Sequence, residues 1–105
     1  MFDYSIVNVI VERIITEFSP EMIILFGSVA SHTATDDSDV DLLVVMDTEE
    51  ESFYRSVPID IALRDIFIDK DIIVVTPEEF EMKKDDEYSF VNEIVRTGRV
   101  IYDGA

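Results

Sequence analysis

The sequence predicts an α/β protein in which helices cover a mixed β-sheet in two layers. Segments with a helical repeat of apolar residues alternate along the chain with short apolar runs that are typical of buried strands. The chain has 105 residues, a length that suits one domain and hardly two. Its apolar content of 48% is that of a globular protein. We therefore expect residues 1–105 to form a single domain.

The first half of the chain predicts a helix followed by two buried strands. Residues 4–18 carry apolar side chains every three or four positions, which is typical of a helix with one buried face. Ser19-Pro20 ends this helix, because proline disfavours helical backbone at the residue before it. Residues 22–26 and 40–46 are short apolar runs that indicate strands.

The middle of the chain predicts a second helix and a third strand. Residues 52–67 favour a helix, and Pro58 suits its first position because that position needs no N–H donor. Residues 71–75 are rich in β-branched side chains and predict a strand. Residues 76–79 read Thr-Pro-Glu-Glu, which predicts a helix start with a capping threonine and a glutamate three positions on.

The last part of the chain predicts a helix over about residues 86–97, with Gly98 as its stop, and a short edge strand over residues 100–102. An exposed apolar face on this helix would suit either a second copy of the chain or a protein partner. Several large apolar side chains are expected in the core: Met22, Phe26, Phe53, Phe67 and Phe90.

The charge of the chain excludes several classes of function. A net charge of −16 repels phosphate backbones, so direct binding of nucleic acid is not expected. An acidic surface suits a basic protein partner instead.

The apolar runs are too short to cross a membrane, and the N-terminus does not have the pattern of a signal peptide. We expect a soluble, cytoplasmic protein.

Two aspartates at the start of the second strand indicate a cation site. Asp39 and Asp41 are two positions apart, and side chains two apart in a strand point to the same face. Side by side, the two carboxylates would repel each other and raise a pKa. A divalent cation removes that conflict, and hard oxygen ligands suit Mg²⁺.

A third carboxylate is expected from Asp71, which opens the third strand in the same way. If the two strands are neighbours, three carboxylates would surround one or two Mg²⁺ ions, as in-line displacement at phosphorus requires. Asp60, Asp65 and Asp69 are alternatives for this position. Asp71 is preferred because it alone leads directly into a β-branched apolar run.

Gly27 and Ser28 follow the first strand at once and suggest a contact with phosphate. Glycine lets a backbone approach a phosphate closely, and the serine hydroxyl adds a donor. A helix that begins there would favour an anion at its free amides. Residues 29–38 indicate a helical turn and a loop, in which Asp36 and Asp37 shape the turn before the second strand.

These motifs together resemble a known superfamily. Residues 25–28, Leu-Phe-Gly-Ser, and residues 38–45, Ser-Asp-Val-Asp-Leu-Leu-Val-Val, resemble the signature of the DNA polymerase beta-like nucleotidyltransferases. Within it, the chain is similar to the minimal nucleotidyltransferases, including the MntA-type antitoxins encoded beside HEPN-domain toxins. Residues 71–80 and 97–102 are similar to the third-carboxylate strand and the C-terminal ending of that family.

The resemblance implies a nucleotidyltransferase-like mixed sheet and transfer of a nucleotidyl group, usually adenylyl from ATP, to an acceptor hydroxyl. It implies that Asp39 and Asp41 ligate two Mg²⁺ ions, and that Asp71 ligates one and helps to deprotonate the acceptor. Gly27 and Ser28 would contact the terminal phosphates. In the antitoxin systems the acceptor is a tyrosine of the toxin, so a HEPN-domain protein is the implied partner.

The sequence departs from the family pattern after the Gly-Ser pair. Family members commonly continue with Arg-Ala-Arg-Gly, whereas residues 29–32 are Val-Ala-Ser-His. No Lys or Arg occurs in residues 14–54. The phosphate charge would then fall to the metals, the backbone amides and Arg96 or Arg99. His32 is the only histidine and is expected to be an exposed loop residue.

Two other functions remain open. The missing arginines and the charge of −16 suit a catalytically weak or inactive antitoxin that neutralises a basic partner by contact alone. A divalent-ion-binding acidic domain that takes no nucleotide is a third hypothesis. The set of three aspartates favours the enzyme.

Overall fold

The computed structural model describes residues 2–35 and 37–104, so the prediction for Asp36 lies outside the described residues. The helices are α1 (Ser5–Phe18), α2 (Gly27–Ala30), α3 (Val57–Ala62), α4 (Pro77–Lys83) and α5 (Phe90–Thr97), with a 3-10 turn at Ser52–Tyr54. The strands are β1 (Met22–Phe26), β2 (Val40–Val45), β3 (Lys70–Val75) and β4 (Arg99–Asp103). None of the helices in the described residues is long and apolar enough to span a membrane.

Within the described residues, the four strands form one mixed sheet in the order β3-β2-β1-β4. β1 runs antiparallel to both of its neighbours, whereas β2 and β3 are parallel. A parallel pair needs a crossover connection, and the segment that contains α3 provides it. The sequence does not reveal this order, but it predicts the strands themselves to within two residues.

Helices pack on both faces of the sheet. On the first face, apolar side chains of α1 and α3 cover the sheet: Val7, Ile10, Val11, Ile14 and Ile59. On the second face, α4 and α5 contribute the residues of a smaller core: Phe80, Val91 and Ile94. The predicted α/β class with a mixed, helix-covered sheet is confirmed. The second helical layer adds to the two layers that the sequence predicts.

The predicted helix over residues 52–67 is wrong in its length. A 3-10 turn ends at Tyr54, and α3 begins only at Val57 with Pro58 in its first turn. Proline fits the first turn of a helix, but Pro58 has no N–H to donate to the carbonyl of Tyr54 four residues earlier, so a helix that starts at residue 52 is interrupted here.

The short extent of α3, which begins at Val57 and ends at Ala62, explains why two residues expected in the core lie outside it. Phe53 is 90% exposed and Phe67 is 97% exposed. Both belong to segments that flank α3 rather than to a helix face that packs on the sheet.

The last helix begins at Phe90, four residues later than predicted. Ser89 causes the later start, because its side chain accepts a hydrogen bond from the amide of Asn92 and caps the helix there. Phe90, which the sequence places in the core, is 53% exposed at this end of the helix.

The start of α4 is held by the predicted capping box. The hydroxyl of Thr76 accepts a hydrogen bond from the amide of Glu79, and the Glu79 carboxylate accepts one from the amide of Thr76. The same carboxylate accepts a hydrogen bond from Arg55 at 2.5 Å. The Arg55 guanidinium and then the Thr76 amide hold the pKa of Glu79 below its ordinary value. This network ties α4 to the segment before α3.

We expect Thr76→Ala to lower the free energy of unfolding by about 1 kcal/mol, because the amide of Glu79 loses its capping acceptor. The melting temperature should fall by about 5 °C. Thermal unfolding followed by circular dichroism measures this change. Thr16→Ala, an exposed position of α1, is the control and should stay within about 0.5 kcal/mol of wild type. Equal effects of the two substitutions would show that the cap contributes nothing.

Candidate functional site

Three parallel rows of side chains cross the second face of the sheet. The register places Phe26 opposite Asp41 and Asp41 opposite Asp71, so these three form one row. The other two rows are apolar throughout: Ile24, Leu43 and Ile73 in one, and Met22, Val45 and Val75 in the next. Of the three rows, the first is therefore the one with side chains that can bind a ligand or take part in a reaction.

The carboxylate row lies at the end of the sheet that the small core leaves open. Asp41 is half-buried, and Asp71 is exposed. Asp39 lies one residue before β2 and is exposed as well. The register pairs Asp41 with Asp71, and the charge of Asp39 is close enough to act on the pKa of Asp41.

The electrostatics of Asp41 record this crowding. Partial burial raises the pKa of its carboxyl above the ordinary value, and the negative charges of Asp71 and then Asp39 raise the pKa further. The effect of the two negative charges is the one expected for carboxylates that lie close together, and it adds to the larger effect of burial. Ionised Asp41 is therefore less favourable in the folded chain than in the unfolded chain, and a positive charge placed beside it would reverse that preference.

Position 27 requires glycine because the Asp41 side chain lies so close to it. Its φ of +76° lies in the left-handed region, which glycine adopts without strain. A Cβ atom at this position would overlap with Oδ2 of Asp41 and lie 3.2 Å from its Cγ. The short helix α2 begins at Gly27, two residues before the helical turn that the sequence predicts within residues 29–38, and carries Ser28 in its first turn. The Gly-Ser pair and the carboxylate row thus form one continuous surface.

None of the three alternatives for the third carboxylate is paired with Asp41 in the sheet. Asp65 forms an ion pair with Arg13 of α1. Asp60 lies in the first turn of α3. The backbone carbonyl of Asp69 accepts a hydrogen bond from the amide of Val40 and so joins β3 to β2. Asp71 alone is in register with Asp41.

The arginines that the sequence offers for phosphate charge have other contacts. The Nε of Arg96 donates a hydrogen bond to Asn92 at 2.9 Å. The Nη1 of Arg99 lies 3.2 Å from Nε2 of His32. His32 is exposed, as expected, with a φ of +61°, and its ring contacts that of Tyr4. Neither of these two contacts involves an aspartate of the row.

The donor chemistry of the row fits a hard divalent cation. Carboxylate oxygens are the ligands that Mg²⁺ prefers, and a cation would offset the negative charges of Asp71 and Asp39 that add to burial in raising the pKa of Asp41. In residues 2–35 and 37–104, no three acidic, histidine or cysteine side chains already converge as the ligands of one ion. The aspartates are thus neighbours rather than a closed cage, and Asp39 and Asp71 are exposed enough to change rotamer.

Sequence reasoning missed one part of this surface, the contact between Phe26 in the row and Phe90 beside it. The ring of Phe26 contacts that of Phe90 edge to face, with centroids 5.9 Å apart. Phe26 is partly buried against the small core. Strand alternation along β1 puts Phe26 on the second face, but its position beside Asp41 depends on the strand order, which the sequence does not reveal.

We expect Gly27→Ala to destabilise the chain by about 1–3 kcal/mol, because it places a Cβ in left-handed backbone and against Asp41. A double-mutant cycle with Asp41→Ala, followed by thermal unfolding, separates the two causes. With the carboxylate removed, only the backbone strain should remain and the cost of Gly27→Ala should shrink. Strictly additive effects would mean that the Gly27–Asp41 contact does not constrain the site.

Comparison with known proteins places this geometry in a family. The structure is similar to the crystal structure of a protein from Sulfolobus solfataricus that is provisionally assigned as a nucleotidyltransferase. The match has a TM-score of 0.65 and covers 94% of this chain and 78% of that chain. Its sequence identity of 24% shows a common fold alone. Among curated proteins, none matches the chain significantly.

A sequence model of the family described as polymerase beta, nucleotidyltransferase, matches residues 8–104. This match takes in nearly all of the chain, including the Gly-Ser pair, the three aspartates and the C-terminal strand. It confirms the resemblance that the motifs indicate. The chain belongs to the polymerase beta nucleotidyltransferase family.

Proposed function

We propose that this chain is a single-domain minimal nucleotidyltransferase that transfers an adenylyl group from ATP to a hydroxyl of a partner protein, with Mg²⁺ as cofactor. The observation that carries the proposal is the row in which Asp41 stands beside Asp71 and against Gly27. Family membership supports nucleotidyl transfer in general. The choice of ATP and of a protein acceptor rests on the resemblance to the minimal members.

Each site residue has a proposed role. Asp39, Asp41 and Asp71 hold two Mg²⁺ ions, and Gly27 and Ser28 contact the terminal phosphates of the nucleotide. When bound, the ions neutralise phosphate charge and lower the pKa of the acceptor hydroxyl. Gly27 leaves the space that the Asp41 carboxylate occupies, so the ligand and the phosphate contact lie side by side.

The proposed reaction is a nucleophilic displacement at phosphorus. The acceptor oxygen forms a bond to the α-phosphorus, the bond from that phosphorus to the bridging oxygen breaks, and pyrophosphate leaves. Asp71 is the proposed base for the acceptor proton, since its side chain is exposed at the open end of the row. A protein acceptor suits this position, because an exposed base is accessible to a side chain that another chain presents.

The proposed partner is a HEPN-domain protein, and the proposed role is that of its antitoxin in the cytoplasm. The resemblance to the MntA-type antitoxins motivates this choice. The net charge of −16 is consistent with it if the partner is basic around its acceptor residue.

A second candidate function is neutralisation of the same partner by contact alone. The contacts of two arginines favour it, since Arg96 donates a hydrogen bond to Asn92 and Arg99 contacts His32, so both guanidinium groups already have partners other than a phosphate. Phosphate affinity would then be low, while the acidic surface would still bind a basic protein.

Calorimetric titration of ATP into the protein, with Mg²⁺ and again with EDTA, tests the nucleotide site. We expect saturable binding only with Mg²⁺, and at least about tenfold weaker binding for Asp39→Ala/Asp41→Ala, which is about 1.4 kcal/mol. The matched control is Glu49→Ala/Glu51→Ala, which removes two exposed carboxylates at the same spacing beyond the other end of β2. If millimolar ATP gives no heat in either condition, the nucleotide site is inactive in the isolated chain.

Transfer is distinguished from contact by the fate of a label on the α-phosphate of ATP. With a HEPN-domain protein as acceptor, the enzyme should place the label covalently on that protein, and Asp71→Asn should abolish labelling without preventing association. Association and neutralisation without label would instead select the contact-only antitoxin.

A further inference from the structure

Helix α3 is apolar on two faces, and the chain itself covers one of them. The inward face of α3 buries Ile59 against the first face of the sheet. On the outward face, Val57 and Ile61 lie one helical turn apart and are 42% and 53% exposed. A helix that is apolar all round is normally buried on every side. The outward face of α3 therefore has the character of a contact surface for another molecule.

A single exposed apolar side chain is ordinary on a helix, whereas those of α3 belong to a group. Val9 of α1 is such a single residue, and exposed residues around it are polar: Asn8, Glu12 and Thr16. By contrast, the 3-10 turn before α3 adds two exposed aromatic residues to the exposed pair of the helix. We call these four apolar side chains the α3 surface: Phe53, Tyr54, Val57 and Ile61.

The α3 surface follows one side of its segment and includes a groove. Phe53, Val57 and Ile61 recur every four residues, and Arg55 and Ser56 between them also have helical backbone angles. A groove of about 500 Å³ lies between α3 and the end of α1, with Ile61 among its lining residues. This spacing and this groove suit a second helix, because helices pack by placing side chains between those of a neighbouring helix.

The α3 surface lies at the same edge of the sheet as the proposed base. Ser52 and Ser56, at the start of this segment, line a second groove of about 340 Å³ along β3. β3 is the outer strand on this side of the sheet and carries Asp71 near its start. A protein bound at α3 would therefore be adjacent to the strand that carries the proposed base for the acceptor proton.

Exposed carboxylates surround the α3 surface. Residues 49–51 are three glutamates before the 3-10 turn, Asp60 lies within α3, and Glu17 lines the groove beside Ile61. A second copy of the chain would bring these like charges together across the interface, which is unfavourable. A basic partner would neutralise them, so the charges favour a partner of opposite sign over self-association.

Positive charges near the α3 surface are fewer and partly neutralised. Residues 49–65 contain two arginines, Arg55 and Arg64. Arg55 forms an ion pair with Glu79. Arg64 is exposed and lines the groove between α1 and α3. The balance of exposed charge in this segment is therefore negative.

We propose that the α3 surface docks a basic amphipathic helix of the acceptor protein, and this inference rests on the proposed function for the identity of that protein. The apolar face of the docked helix packs on Phe53, Val57 and Ile61, with one side chain in the groove beside Ile61. Its lysines or arginines lie opposite residues 49–51 and Asp60. This is the helix-in-groove mode of recognition, in which apolar anchors at helical spacing make the central contacts.

The test uses a synthetic peptide of about 18 residues, long enough to form a helix, with leucines on one face and lysines on the other. A peptide of the same composition in scrambled order is the control for charge alone. Both are titrated into the full chain by calorimetry, in EDTA and without nucleotide. The amphipathic peptide should bind at least about tenfold more tightly than the scrambled one. Amide shifts in NMR spectra should change chiefly in residues 52–65.

Ile61→Ser should weaken binding of the amphipathic peptide by about tenfold, because the central apolar contact is lost. The matched control is Val9→Ser, which removes an apolar side chain that is 47% exposed on α1 and should leave the affinity unchanged. Both variants should bind ATP as wild type does, because neither residue belongs to the carboxylate row. With a HEPN-domain protein as acceptor, Ile61→Ser should raise the KM for that protein.

Several results would reject the α3 surface as the docking site of a basic helix. Equal binding of the two peptides, or equal losses in Ile61→Ser and Val9→Ser, would do so. A wild-type dimer that Ile61→Ser dissociates, detected by analytical ultracentrifugation, would assign the surface to a second copy and overturn the basic partner.

The outcomes also separate this inference from the function on which it rests. If the peptide binds as expected and wild type neither binds ATP nor labels an acceptor, the proposed function fails while the docking surface stands. If ATP binds and Ile61→Ser labels the acceptor as well as wild type does, the proposed function stands and the docking surface is rejected.

Discussion

The carboxylate of Asp41 lies against the α-carbon of Gly27, and the rest of the site depends on this contact. It arises because β1 and β2 are antiparallel with Phe26 opposite Asp41, so the residue after Phe26 meets the Asp41 side chain. Any larger residue at position 27 would displace the carboxylate or the start of α2. One backbone register thus fixes the relation between the Gly-Ser pair and the aspartates.

The parallel pairing of β2 with β3 introduces repulsion between like charges. It sets Asp71 beside Asp41 in a chain that already carries a net charge of −16. The apolar rows next to the aspartates and the cores on both faces of the sheet stabilise the strands that carry these charges. Sites of this kind are commonly less stable than a neutral substitute would be, because function requires groups that repel each other in the empty state.

The sequence predicts what depends on neighbouring residues and misses what depends on distant ones. Apolar periodicity finds α1 and the strands, and the spacing of Thr76 and Glu79 finds the cap of α4, since these are local patterns. Strand order depends on contacts between distant segments. The sequence therefore predicts that Asp41 lies beside Asp71 only on the condition that their two strands are neighbours. The prediction that Phe53 and Phe67 are buried is wrong for the same reason, because residue type alone does not reveal that both lie outside α3.

The site residues show the same division. Asp39, Asp41 and Asp71 are recognisable by their positions at strand starts, whereas the structural reason for Gly27 is visible only once Asp41 is packed against it. The sequence suggests a phosphate contact for this glycine, and the fold adds a steric requirement. Phe90 belongs to the site surface because Ser89 sets the start of α5, and the predicted start four residues earlier hides that relation.

Thermal unfolding of wild type and Asp41→Asn, in EDTA and in saturating Mg²⁺, tests most directly whether this crowded carboxylate is a cation ligand. The pKa of Asp41 is raised in the fold, so its ionised form lowers stability as the pH rises through that pKa. In EDTA at neutral pH we expect Asp41→Asn to melt above wild type. Mg²⁺ should stabilise wild type and reverse that order, because it binds the folded state only.

Glu12→Gln, an exposed position of α1 on the other face, removes the same charge and should respond to Mg²⁺ as wild type does. A wild-type melting temperature that does not change with Mg²⁺, or an Asn variant stabilised equally by it, would contradict the assignment of Asp41 as a cation ligand.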